Sequence, residues 1–124
     1  LMSLLAAVLT VLLGAPHSYL GERWLITPLL KQDTLPAIMG SQKASRQTLR
    51  AAWHITSLTW WGIAGLLAYL QFSDTSVKVA VLWMVAITFT ISGLIPILIG
   101  KGRHKSWIIF LSVAAICAYI GIVT

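Results

Sequence analysis

The chain has 124 residues, of which 58% are hydrophobic and only 10% are charged, whereas about 25% of the residues in a typical soluble domain carry charge. This composition excludes an ordinary soluble domain and predicts a small integral membrane protein. The formal net charge is +6. The positions of the cations decide whether this charge indicates a nucleic-acid partner or a membrane topology.

Four apolar stretches dominate the sequence, at about 2–20, 51–70, 79–99 and 107–123. Each approaches or reaches the roughly 20 residues that a transmembrane helix needs. They occupy nearly the whole chain, so the sequence predicts one integral membrane domain, residues 1–124, folded as an all-α transmembrane four-helix bundle. The first stretch lacks the basic segment and cleavage site of a signal peptide, and we expect it to remain as a span. Short turns between spans predict antiparallel, up-down neighbours.

The end of the first span is expected to be irregular. Gly21 and Pro28 are residues that commonly interrupt helices, and we expect breaks at both. The apolar segment 24–30 then either extends the first span or lies along the membrane interface as a short amphipathic piece.

The positive charge is concentrated at one end of the predicted spans. Eight of the nine Lys and Arg residues lie in the two connections that share this end, and Lys78 lies at the other end. The eight are Arg23, Lys31, Lys43, Arg46, Arg50, Lys101, Arg103 and Lys105. Short loops rich in Lys and Arg stay in the cytoplasm, so both termini are predicted to be extracytoplasmic in a bacterial inner membrane. The charge is a topology signal that also suits anionic lipid headgroups, and we expect no nucleic-acid partner.

The sequence contains no motif of established catalytic chemistry. It has no HExxH zinc motif and no glycine-rich phosphate loop, and Cys117 is its single cysteine. Cys117 lies in the middle of the fourth span, where apolar surroundings make a thiol unreactive. These observations favour a non-enzymatic role.

Four titratable residues gather at the basic end of the spans: His17, Glu22, His54 and His104. An ionisable side chain in or near the hydrocarbon region marks a candidate functional site. Three interpretations remain open. The residues form a structural hydrogen-bond network, or they bind a transition metal or haem with His17 and His54 as facing ligands, or they handle a proton or substrate through Glu22.

Helix geometry restricts how these residues meet. His17 and Glu22 are five residues apart, which corresponds to about 140° on an ideal helix. They share a site only if Gly21 bends the chain, and Ser18 rather than His17 lies under Glu22. A metal site that includes both His17 and Glu22 therefore requires a distorted helix.

The expected ionic partner of Glu22 is an arginine at the start of the second span. A carboxylate near the hydrocarbon is expensive unless it is paired, and Arg46 and Arg50 are the candidates. His104 lies between two cations in the sequence, which disfavours binding of another cation there.

One face of the second span carries polar and aromatic residues at helical spacing, namely Arg50, His54, Ser57 and Trp61. Trp53 and Trp60 form a neighbouring row. Trp53 suits the membrane interface, whereas Trp60 and Trp61 lie deeper. These three tryptophans are candidates for the wall of a cavity for a flat apolar ligand, and core packing is their alternative role.

Three segments of the sequence resemble a set of small four-helix bacterial inner-membrane proteins that have no assigned function. The segments are HSYLGE at 17–22, RAAWHITS at 50–57 followed by Trp60 and Trp61, and GRHKSW at 102–107. The resemblance implies that the histidines, Glu22 and the tryptophans belong together, and it implies no activity. In size and span number the chain is also similar to small multidrug resistance transporters, whose proton-coupled export uses a mid-helix glutamate. Glu22 lies late in its span and beside a cation, which departs from that pattern.

We therefore expect an accessory or interaction subunit of a larger membrane assembly or a homo-oligomer, with the lipid bilayer and other membrane subunits or a second copy as partners. The alternative is a small proton-coupled transporter, or a metal- or haem-binding bundle, centred on His17, Glu22 and His54. We expect no cofactor under the first hypothesis, and haem or a transition metal under the second.

Overall fold

The computed structural model describes residues 1–38, 40–102 and 105–124. Throughout these ranges the regular elements are helices: α1 at Met2–Gly21, a π-helical turn at Glu22–Ile26, α2 at Thr27–Leu30, α3 at Gln42–Phe72, α4 at Val77–Gly100 and α5 at Ser106–Val123. The all-helical fold predicted from the sequence is confirmed for this part of the chain. All four predicted apolar stretches lie within helices or within one residue of their ends.

The first helix runs on without the expected breaks, so the predictions at Gly21 and Pro28 are wrong. Gly21 has helical backbone angles, φ −62° and ψ −43°, and the π turn continues directly into α2, which ends at Leu30. In the π turn the acceptor lies five residues back, as the Thr27 N–H to the Glu22 carbonyl shows. This wider turn accommodates Pro28, which has no N–H to donate. Segment 24–30 extends the first helix.

The long helices pack in the order of the chain. Extensive interfaces join α1 with α3, α3 with α4, and α4 with α5, and in the described ranges none joins α1 with α5. Residue pairs follow opposite directions along α1 and α3, because Ser3 bonds to Gln71 while Glu22 bonds to Arg50. The carboxyl end of the first helix therefore lies beside the amino-terminal part of α3.

The interfaces between these helices are built from small side chains. The buried hydrophobic residues in the described ranges are mostly alanines: Ala7, Ile26, Leu30, Ala44, Ala51, Ala64, Ala80, Ala86 and Ala114. Ser57 and Ser92 are also buried, each with 1% exposure. Small residues allow close approach of membrane helices, whose association does not depend on water. Large apolar side chains face outward instead, which a lipid surround permits.

Three helices in the described part of the chain have the length and hydropathy of membrane spans, at Met2–Leu30, Val77–Gly100 and Ser106–Val123. This finding is consistent with a membrane protein. The helix α3 contains the predicted second span but is not among these three. Its amino-terminal half carries the polar residues that α3 contributes to the site described next.

Candidate functional site

A group of polar side chains joins the first helix to α3 at the basic end of the molecule. We call it the polar cluster, and its members are Ser18, Glu22, Thr27, Arg50, His54 and Ser57. On α3, the spacing of four and three residues places its arginine, histidine and serine on one face. On the first helix, Ser18 and Glu22 lie one turn apart and meet that face.

Glu22 is held by an ion pair with Arg50. The Nε of Arg50 lies 2.6 Å from Oε1 of Glu22, and the side chains are 39% and 30% exposed, respectively. A second guanidinium nitrogen, Nη2, reaches Oε2 at 3.5 Å. Thr27 donates its hydroxyl to the same Oε2 at 3.2 Å. The π turn explains this last contact, because it brings residues five apart toward one side of the helix.

His54 links Glu22 to two serines. Its Nε2 lies 3.5 Å from Oε1 of Glu22, and its Nδ1 lies 3.0 Å from the hydroxyl of Ser18. Ser18 in turn donates to the hydroxyl of Ser57 at 2.7 Å. The result is a continuous line of hydrogen-bonding groups that runs from Ser57, through Ser18 and His54, to the ion pair.

Arg46 is placed elsewhere, so the choice between the two expected arginine partners falls on Arg50. The Nε of Arg46 donates to the Leu30 carbonyl at 2.7 Å, and its Nη2 donates to the Gln32 carbonyl at 2.9 Å. The last carbonyls of a helix lack hydrogen-bond donors within the helix, and Arg46 provides a donor for that of Leu30. Its role is to fasten the end of the first helix and the following loop to α3.

His17 belongs to an aromatic group rather than to the polar cluster. Its ring stacks on Trp53 at 4.3 Å with an interplanar angle of 10°, and it meets Trp60 at 4.6 Å in a tilted arrangement. The Trp53 indole donates to the carbonyl of His17 at 2.9 Å. The Nε2 of His17 is buried and has no hydrogen-bond partner in the described ranges.

The hypothesis of His17 and His54 as facing metal ligands finds no matching arrangement here. The two rings have different neighbours, tryptophans for His17 and the serine–glutamate pair for His54. Among the residues that the structure describes, no three or more His, Cys, Asp and Glu side chains are grouped as metal ligands would be. His104, the remaining candidate, lies outside the described residues.

The three tryptophans predicted to wall a cavity take different positions. Trp53 and His17 line a shallow, mostly apolar groove of about 480 Å³ on the first helix. Trp60 covers the His17 ring from another side. Trp61 is 41% exposed and donates to the Val11 carbonyl at 3.3 Å. Of the three, Trp53 contributes to the lining of this groove.

Sequence reasoning missed Thr27 and the aromatic setting of His17. The contact of Thr27 depends on the π turn, whereas the sequence predicted breaks at Gly21 and Pro28 rather than a continuous helix with a wider turn. The stacking of His17 on Trp53 depends on the rotation of two helices about their axes, which periodicity within one helix does not determine.

The described part of this chain is thus an all-helical protein with three helices of membrane-spanning length and hydropathy. No model of a known protein family, no curated protein and no solved structure matches the chain.

Proposed function

We propose that this chain is an integral protein of a bacterial inner membrane and acts as an accessory or interaction subunit, in a larger membrane assembly or with further copies of itself. The observation that best supports this proposal is how polar and apolar side chains are distributed in the molecule. The charged and polar side chains of the cluster bind one another, whereas many large apolar side chains on the outer faces of the helices are exposed.

The proposed arrangement in the membrane is an antiparallel, up-down set of four spans with both termini extracytoplasmic. It includes α3 as a span. The opposite direction of contacts along α1 and α3 supports it. So does the clustering of cations at one end, because Lys and Arg are retained in the cytoplasm.

The row of helices offers two outer helices to partners. Both α1 and α5 have one extensively packed neighbour among the described long helices. Their outward side chains include Leu5, Leu9, Leu12, Ile109, Ile116 and Ile122, each more than 40% exposed. A helix packed on one side has most of its surface available for lipid or for another membrane helix.

Extraction of the protein with its native lipids, followed by mass measurement, tests the proposal. We expect a particle that contains either several copies of the chain or a fixed ratio of the chain to a second membrane protein. A uniform population of single chains would contradict the proposal. Cross-linking in the intact membrane before extraction controls for association that arises during purification.

A second candidate function is proton or ligand handling, and the line of groups from Ser57 to Glu22 is the observation that favours it. Each of Ser57, Ser18, His54 and Glu22 can exchange a proton, although Arg50 occupies the carboxylate in this structure. A transport cycle would have to separate that ion pair.

An optical spectrum and elemental analysis of the purified protein test whether this second candidate function involves bound haem or metal. Stoichiometric haem or metal that disappears in His17→Ala or His54→Ala would favour it over the accessory role. Proton release on addition of a transported compound, abolished by Glu22→Gln, would favour the transporter variant.

A further inference from the structure

A second cavity lies between α3, α4 and α5, away from the polar cluster. Its volume is about 270 Å³, near the lower end of ligand pockets, which begin at about 300 Å³. One part of its wall is apolar and includes Ala51, Ala52, Ile55, Pro96 and Phe110. This volume and lining suit part of a single alkyl chain better than a large rigid cofactor.

The polar side chains of this cavity lie at its other end, next to the two basic connections. Gln47, Thr48 and Ser106 line it there, together with Ala44 and Gly100. These residues lie about one or two helical turns from the apolar wall on the same three helices. The few polar side chains of a mostly apolar cavity are therefore gathered at one end, as the polar part of a lipid is.

Three exposed lysines flank the polar end. Lys43 precedes the lining residue Ala44, Lys101 follows Gly100, and Lys105 precedes Ser106. The three lysines come from three different segments, and each is adjacent in sequence to a residue of the cavity wall. The basic end of the molecule and this end of the cavity are therefore contiguous along the chain, which favours an anionic group there.

We propose that this cavity binds an anionic diacyl phospholipid, with one acyl chain along the apolar wall and the phosphate among Lys43, Lys101 and Lys105. An acyl chain that moves from the bilayer into an apolar cavity gains little from the hydrophobic effect, since both surroundings are apolar. Selectivity for this lipid therefore comes from charge. Basic pockets between helices at the cytoplasmic side are suited to anionic headgroups. This inference concerns a different site from the polar cluster and does not depend on the accessory role.

Native mass spectrometry of the full chain in neutral detergent tests the proposal with dioleoyl phosphatidylglycerol and dioleoyl phosphatidylcholine, which share acyl chains and differ in headgroup. We expect the phosphatidylglycerol adduct to form at lower lipid concentration. Replacing all three lysines with glutamine should weaken this adduct about tenfold or more, because each lysine near an anionic surface contributes a several-fold preference. Lys78→Gln, at the other end of the molecule, is the matched control and should leave binding unchanged.

The acyl-chain part of the proposal has its own pair of variants. Ala52 lines the cavity and is exposed, so Ala52→Phe should fill the space and weaken both lipid adducts. Ala115 is exposed on α5 and is not part of this lining, so Ala115→Phe should have no such effect. Circular dichroism and thermal unfolding establish that the variants are folded.

Four outcomes would overturn the proposal. The first is equal binding of the two lipids, and the second is an equal effect of Lys78→Gln and of the triple lysine variant. The third is an equal effect of Ala52→Phe and Ala115→Phe. Displacement of phosphatidylglycerol by millimolar inorganic phosphate would likewise overturn it, because it would indicate a phosphate site without an acyl-chain requirement.

Discussion

The indole of Trp53 packs on the backbone of Gly21, so closely that a Cβ at Gly21 would overlap the ring. Trp61 packs on Gly14 in the same way, seven residues earlier on the first helix. Each indole also donates its N–H to a nearby carbonyl of that helix. Two glycine–tryptophan contacts therefore set the distance between the first helix and α3, and with it the geometry of the polar cluster.

The Gly21–Trp53 contact predicts that Gly21→Ala destabilises the protein. Alanine has the better helix propensity, by about 0.8–1.0 kcal/mol, but overpacking typically costs about 1–3 kcal/mol. We expect the overlap to dominate, with a net loss of about 1 kcal/mol in the free energy of unfolding. Unfolding in a denaturing detergent titration measures this change.

Gly65→Ala is the matched control for Gly21→Ala. A Cβ at Gly65 would come 3.3 Å from the sulfur of Met84, which is part of a flexible side chain that can move. Gly65→Ala should be neutral or slightly stabilising. Equal stability of the two alanine variants would show that the Trp53 indole moves aside without cost, contrary to the prediction.

The ion pair between Glu22 and Arg50 predicts a non-additive double mutant. Glu22→Gln and Arg50→Gln should each lower stability, because each leaves one charge without its partner. The double variant should lose less than the sum of the two. Residues in contact couple by about 0.5–3 kcal/mol, and we expect about 0.5–1 kcal/mol because both side chains are about one-third exposed and partly screened.

Four proteins suffice for that measurement: the wild type, the two single variants and the double variant, compared under identical lipid and detergent conditions. Simple addition of the two effects would contradict the pairing. It would also favour the proton-handling candidate, in which Glu22 must be free to exchange its proton. Arg46→Gln is a useful control, since Arg46 bonds to carbonyls at the end of the first helix and in the loop after it and should not couple to Glu22.

His54 should matter more for stability than Leu66, an apolar residue about three turns further along α3. Polar bonds between membrane helices average about 0.6 kcal/mol, and His54 contacts both Ser18 and Glu22. We expect His54→Ala to lower the thermal midpoint more than Leu66→Ala does, although the latter removes more apolar volume. A neutral His54→Ala would remove His54 from any site and leave helix packing as its role.

The sequence predicted the helical stretches and the polar face of α3, because both follow from periodicity and apolar content alone. It did not predict that α3 begins at Gln42, nine residues before the predicted span. The mostly polar segment 42–50 was left out of the predicted span because a span is recognised by its apolar content, yet it belongs to the same helix. Arg50 and His54 lie near residue 51, where the apolar span was predicted to begin, although the helix begins nine residues earlier.

The geometry of the candidate site was harder to predict than its composition. The four-residue spacing of Ser18 and Glu22 predicted that they lie on the same face of the first helix. The charge of Glu22 predicted an arginine as its partner. The hydrogen bonds of Arg46 depend on which carbonyls are unpaired at the end of the first helix and in the loop after it. This is a tertiary effect, which the sequence pattern of a single helix does not determine.

Membrane topology is the last prediction, and α3 is the helix that decides it. Its hydropathy does not place it among the three candidate spans, so two arrangements can be compared. If α3 spans the membrane, residues 33 and 75 lie on opposite sides. If the other three helices span and α3 does not, these residues lie on the same side. Because the cations cluster at the end that carries residue 33, we expect Asp33 in the cytoplasm and Thr75 outside.

Cysteine labelling in intact cells measures this directly. Cys117→Ala provides a background without native thiols, and Asp33→Cys and Thr75→Cys are introduced separately at exposed positions. We expect a membrane-impermeant maleimide to label Thr75→Cys in intact cells, and to label Asp33→Cys only after the cells are lysed. Labelling of both from outside, or of neither, would show that α3 does not cross the membrane. The reverse pattern would keep α3 as a span but invert the protein, which would mean that its cations do not determine its orientation.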